Sequence, residues 1–143
     1  MRRVRVLAVD FGEKRIGLAV SDETGRVVVP VGAVARASDA QAAADVARAA
    51  QERDVTRIVV GLPRNLDGRE GLLARRARNF ARRLAVVSGT PVDLHGEALT
   101  SVAADAALDE AGVSSRDRAG RRDAEAAAVL LRDWLSVHAG DVA

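Results

Sequence analysis

Cysteine and tyrosine are absent from this chain, the aromatic residues number three (Phe11, Phe80 and Trp134), and lysine occurs once, as Lys14. Without cysteine there are no disulfides and no thiolate metal sites, which fits a reducing compartment. With so few aromatics, the core of a 143-residue chain has to be built from Val, Leu, Ile and many Ala. No apolar run approaches the roughly 20 residues of a membrane span. The opening MRRVRV enters a strand too soon for a signal peptide. The expectation is a soluble, cytoplasmic domain over residues 1–139 with a frayed tail at 140–143.

Lysine is scarce because the positive charge is carried by 21 arginines, against 20 acids, for a net charge of +2. Arginine makes bidentate contacts to phosphate, which suits nucleic acid. The plainer reading of the composition as a whole is a genome-wide bias towards Arg and Ala, so the information lies in where the arginines cluster.

Residues 6–22, VLAVDFGEKRIGLAVSD, hold two short apolar runs, Val6 to Val9 and Ile16 to Val20, joined by a charged tip. Both are rich in β-branched residues and bounded by turn signals, so they read as an antiparallel hairpin. It delivers Asp10 at the end of a strand, a rigid mounting for a metal ligand. A third strand follows at 26–34, where Pro30 places it on a sheet edge. Ser38 and Gln41 match a capping box for a helix over 38–53, and 56–62 reads as a buried parallel strand. A further capping pattern, Asp67 to Glu70, opens a long helix with Leu73, Ala77, Phe80, Leu84 and Val87 inward. Arg69, Arg75, Arg76, Arg78, Arg82 and Arg83 occupy its other faces. A strand at 91–95, a helix to Ala111, a basic loop at 113–122 and a last helix starting near Asp123 complete the chain. The order predicts an α/β fold: a mixed five-stranded sheet, its first three strands antiparallel and strands 1, 4 and 5 parallel, flanked by helices.

Three acids fall where such a sheet can gather them: Asp10 at the end of strand 1, Glu97 after strand 5, and Asp123 on the inward stripe of the last helix. Converging carboxylates need a cation, and oxygen-only ligands suit Mg²⁺ or Mn²⁺, which hydrolyse phosphodiesters in pairs. Each acid has a plainer reading, and Asp123 in particular could simply cap its helix. Asp93 shares strand parity with Glu97 and could serve as a spare ligand, the weaker of its two readings. His95 and His138 lack metal-ligand spacing and read as structural, and Ser21 and Ser101 lack a nearby base. The arginine face can equally be solvated surface.

The segments VDFGEKRIGLAVSD, VVGLPRNLDGREG, GEALTS and RDAEAAAVLL together resemble the YqgF (RuvX) family, over nearly the whole chain and in the right order. The resemblance implies an RNase H-like fold related to Holliday junction resolvases. It also implies a metal-dependent nuclease acting on pre-16S ribosomal RNA at its 5′ end. On this resemblance Asp10, Glu97 and Asp123 are the catalytic and metal-binding residues. Lys14, Arg15, Arg75, Arg76, Arg78 and Arg82 are the expected substrate contacts. A branched-DNA endonuclease and a binding module without catalysis are the alternatives, with a monomer or homodimer as the assembly. Where the family reads Asp-Glu-Arg-Leu-Thr-Thr, this chain has Gly96-Glu97-Ala98-Leu99-Thr100-Ser101, so an acid and an arginine beside the glutamate are gone.

Overall fold

Val6–Phe11 forms β1 and Arg15–Ser21 forms β2, the two apolar runs pairing antiparallel from Leu7 opposite Val20 to Phe11 opposite Ile16. Val28–Ala35, β3, adds antiparallel to β2, and its register slips beside Pro30, between Leu18 and Ala19. Lacking an N–H, Pro30 sits as expected on an edge strand. This strand begins later than predicted because Asp22 Oδ1 accepts from the Arg26 and Val27 amides at 3.1 and 3.2 Å, holding both in the preceding turn.

The computed structural model describes residues 4–63, 71–97 and 115–138. Beyond β3 it contains α1 (Asp39–Glu52), β4 (Arg57–Pro63), α2 (Leu72–Ser88), β5 (Val92–Glu97) and α3 (Ser115–Val137). The predicted cap at 67–70, the helix to Ala111 and the tail lie outside the described residues. Helix α1 starts as expected, with Ser38 Oγ accepting from the Gln41 amide at 3.1 Å. At the other end of α2, Gly89 takes the left-handed conformation (φ 67°) that terminates a helix.

The strands lie in the order β3-β2-β1-β4-β5, with β4 parallel to both β1 and β5, which is the mixed sheet expected. Both faces of β1 are covered. Leu7, Val9 and Phe11 join Val46, Phe80 and Leu84 in a core beneath α1 and α2. Val6 and Ala8 join Ala127, Leu130, Leu131 and Trp134 in a second core beneath α3. Full burial of each large apolar side chain contributes about 2 kcal/mol. The sheet is therefore a three-layer sandwich in which odd and even positions of β1 look towards different helices.

Two boundaries differ from the sequence reading. The expected basic loop at 113–122 is helical from Ser115 onwards, so Asp123 lies two turns inside α3 and caps nothing. The Ser pair and Gly120 suggested a loop, but the Arg and Ala between them are strong helix formers. Glu97 does not follow β5 but closes it, paired with Pro63. On α2, Val87 is exposed, and the inward positions are Ala74, Ala77, Phe80, Ala81 and Leu84.

Candidate active site

Asp10 is the fifth residue of β1, opposite Gly17 on β2. By strand alternation it shares its face with Val6 and Ala8, so it looks towards α3. Gly17 is what lets the helix come close. A methyl group there would collide with the carbonyl of Asp123 and the backbone of Ala124, so α3 rests on bare strand at this point. Asp123 is thereby set beside Asp10. Burial, with repulsion from Asp123 added, pushes the Asp10 carboxyl up from 3.8 to about 6. Asp123 also accepts a 2.7 Å bond from Arg15 Nε, a side-chain pair only partly open to solvent.

Arg15 opens β2, and Lys14 lies exposed on the tip that precedes it. The tip is tight. The Gly12 amide donates to the Arg15 carbonyl at 3.1 Å, where a side chain at Gly12 would crowd that oxygen. Sequence reasoning missed the residue that braces the tip from outside, Arg36. Its guanidinium lies 4.3 Å from the centre of the Phe11 ring, and Nη1 donates to the carbonyls of Gly12 (3.4 Å) and Glu13 (3.2 Å). Nε donates to Asp39 Oδ1 at 2.9 Å. Nothing local in the sequence marks Arg36. Gly17 did carry a signal, as a glycine inside a β-branched strand.

The carboxyl ends of β1, β4 and β5 share one edge of the sheet, as expected for a site in an open α/β fold. Position 97 falls there by backbone register, although the Glu97 side chain lies outside what the structure describes. His95 pairs with Gly61 and bonds through Nε2 to Asp133 Oδ2 at 2.6 Å, joining β5 to α3. Asp93 is held by Arg57 at 2.7 Å, so it is engaged elsewhere and not a spare ligand. His138 stacks on Trp134 with centroids 4.3 Å apart, a structural role.

Among the described residues two carboxylates converge, and no three His, Cys, Asp or Glu side chains stand together to hold a metal ion. The pair still fits a hard divalent cation. Both donors are oxygens, and the raised Asp10 carboxyl records a repulsion that a cation would relieve. The α2 arginines are not brought to this pair. Arg75, Arg76 and Arg82 are exposed and Arg78 is half-buried, on a helix packed against the opposite face of the sheet. Contact between Phe80 and Phe11, with centroids 5.1 Å apart, fixes α2 on the side of β1 away from Asp10.

A family model described as "RuvX: Holliday junction resolvase" matches residues 4–137. A protein of Anaeromyxobacter dehalogenans (strain 2CP-C), provisionally named a pre-16S rRNA nuclease, is 51% identical over 132 residues, covering 92% of this chain and 96% of its own. A relative of the same provisional name from Acidiphilium cryptum (strain JF-5) is 39% identical over 136 residues, covering 95% and 86%. Among solved structures, RuvC of T. thermophilus in complex with a Holliday junction substrate superimposes with a TM-score of 0.57 at 16% identity, over 93% of this chain and 96% of that one. At that identity the likeness concerns the fold, a resolvase-type RNase H-like sheet.

Proposed function

The chain belongs to the RuvX family, and from this premise we propose that it is a divalent-metal-dependent nuclease that trims the 5′ end of pre-16S ribosomal RNA. The observation that carries the reading is the Asp10–Asp123 pair, two carboxylates made to share a partly buried site at the carboxyl edge of the parallel strands. Asp10 and Asp123, with Glu97 from the end of β5, would hold the metal, Mg²⁺ or Mn²⁺ by its oxygen donors. When bound, such ions supply an activated water and charge stabilisation for the leaving oxygen. The chain's own residues do the rest. Arg15 orients Asp123 through Nε, and its terminal nitrogens have N–H donors to spare for a phosphate. Lys14 offers a second cation on the same tip, and Arg36 keeps that tip in place. A ribosomal RNA precursor as substrate implies a cytoplasmic site of action.

The family description favours a second reading, cleavage of branched DNA. One experiment separates the two: purified protein with Mg²⁺ or Mn²⁺, offered precursor rRNA, single-stranded RNA and four-way DNA junctions, beside Asp10→Asn. Cleavage of the precursor alone, lost in the variant, is the expected result. Junction cleavage alone would move the substrate to DNA, and equal activity in the variant would remove Asp10 from the site.

A further inference from the structure

On α2, the residues Leu72, Arg75, Arg76, Asn79, Arg82, Arg83 and Val86 are all exposed. Their spacing makes one stripe along the outer side of the helix. Four of the seven are arginines, and the helix contains no acid. Among the described residues no carboxylate pairs with Arg75, Arg76 or Arg83, and Arg82 donates only to its neighbour Asn79 Oδ1 at 2.9 Å. The acids of the adjacent α1 are engaged elsewhere, Asp39 by Arg36, Asp45 by Gln41 and Glu52 by Arg53. Among the described residues nothing neutralises the stripe, a cationic ridge on the face of the sheet opposite the Asp10–Asp123 pair.

We infer that this ridge is a second nucleic-acid surface, which grips a double-helical arm of the substrate away from the strand being cut. The inference rests on the nuclease reading for its choice of polyanion. Two observations select a duplex. Single strands are held largely by stacking bases on aromatic rings, and all three aromatic rings of the chain are buried. What the ridge offers is guanidinium forks on a rigid rod, whose geometry matches the oxygens of a regular phosphate backbone. From Arg75 to Arg83 it runs about 12 Å at 1.5 Å per residue. B-form DNA presents about seven phosphates along such a length, and an A-form RNA duplex, with its shorter rise, packs them no less densely. A second copy of the chain is excluded as the occupant of a symmetric contact, because it would set four guanidinium groups against four.

The test is binding of a short blunt-ended RNA duplex over a salt series, without divalent metal. The proteins are wild type, R75Q/R76Q/R82Q/R83Q, the pairs R75Q/R76Q and R82Q/R83Q, and Asp10→Asn. The quadruple variant is expected to lose affinity by about tenfold or more and to flatten the log-affinity versus log-salt slope by about three units, each pair giving about half of that. Asp10→Asn, which removes a negative charge, should bind the duplex no more weakly than wild type. Should the quadruple variant fail to melt cooperatively, the two pairs decide. An unchanged slope overturns the inference, and so does equal loss in Asp10→Asn, which would place both at one surface. Single-stranded RNA bound as tightly as duplex overturns the choice of duplex. No cleavage is needed, so a protein that cuts nothing yet shows ridge-dependent binding refutes the nuclease reading and leaves the ridge.

Discussion

At the residue scale the most informative group is the Asp10 carboxyl, raised from 3.8 to about 6 by burial and by Asp123. An acid whose folded value is raised holds its proton better folded than unfolded. Stability tied to that proton is therefore present below about pH 4, declines as pH rises and is gone above about pH 6. With metal chelated, the stability of wild type relative to Asp10→Asn should fall by up to about 3 kcal/mol between pH 3.5 and pH 7. Denaturant melts at both pH values check this, and parallel curves for the two proteins would show that Asp10 is not in a repulsive site. Arg15 makes the opposite contribution. Its bond to Asp123 is half-open to water, so Arg15→Gln should destabilise the metal-free protein by about 1 kcal/mol. Added Mg²⁺ should narrow that gap, because a cation beside Asp123 takes over the neutralisation. A gap that Mg²⁺ leaves unchanged would place the ion elsewhere. The placement of Asp10 at the end of an apolar strand was legible in the sequence, from the run Val6 to Val9 that precedes it. Arg36 was not, because its partners are backbone carbonyls and a ring that only the folded chain brings to it.

At the element scale the site depends on how α3 lies on the sheet. Gly17→Ala would drive a methyl group into the α3 backbone at Asp123, and the helix cannot yield without leaving its core. The expected cost is about 3 kcal/mol, with metal affinity lost in calorimetry as Asp123 moves off Asp10. Gly120 sits in the same helix with open space around its Cα. There Gly120→Ala should stabilise by about 0.8 kcal/mol, through helix propensity alone. Two glycine-to-alanine changes of opposite sign test the placement of α3, and equal effects would refute it. The sequence showed the inward stripe of α3 but not its start. A capping reading of Asp123 competed with a helix that begins two turns earlier. The hairpin and the sheet order were legible because alternation, turn residues and Pro30 all agreed on them.

At the scale of the whole molecule, the acid pair and the arginine ridge lie on different faces of the sheet. One face holds Asp10 and Asp123, half-buried, against α3, and the other carries α2 with its arginines. This division was hidden in the sequence because β1 is apolar on both sides, so no alternation tells which helix Asp10 faces. It follows that Mg²⁺ should raise the melting temperature of wild type and raise that of Asp10→Asn much less, since only binding to the folded state stabilises. The ridge variants should respond to Mg²⁺ as wild type does, and a loss of response there would couple the two faces. Trp134 has a consequence of its own. It is the only tryptophan, tyrosine is absent, and its ring is buried between α3 and the sheet against His138. Intrinsic fluorescence excited above the phenylalanine band therefore reports on one location, the seat of the helix that carries Asp123. The native chain is its own spectroscopic gauge of whether the acid-bearing layer is docked, and no label has to be introduced.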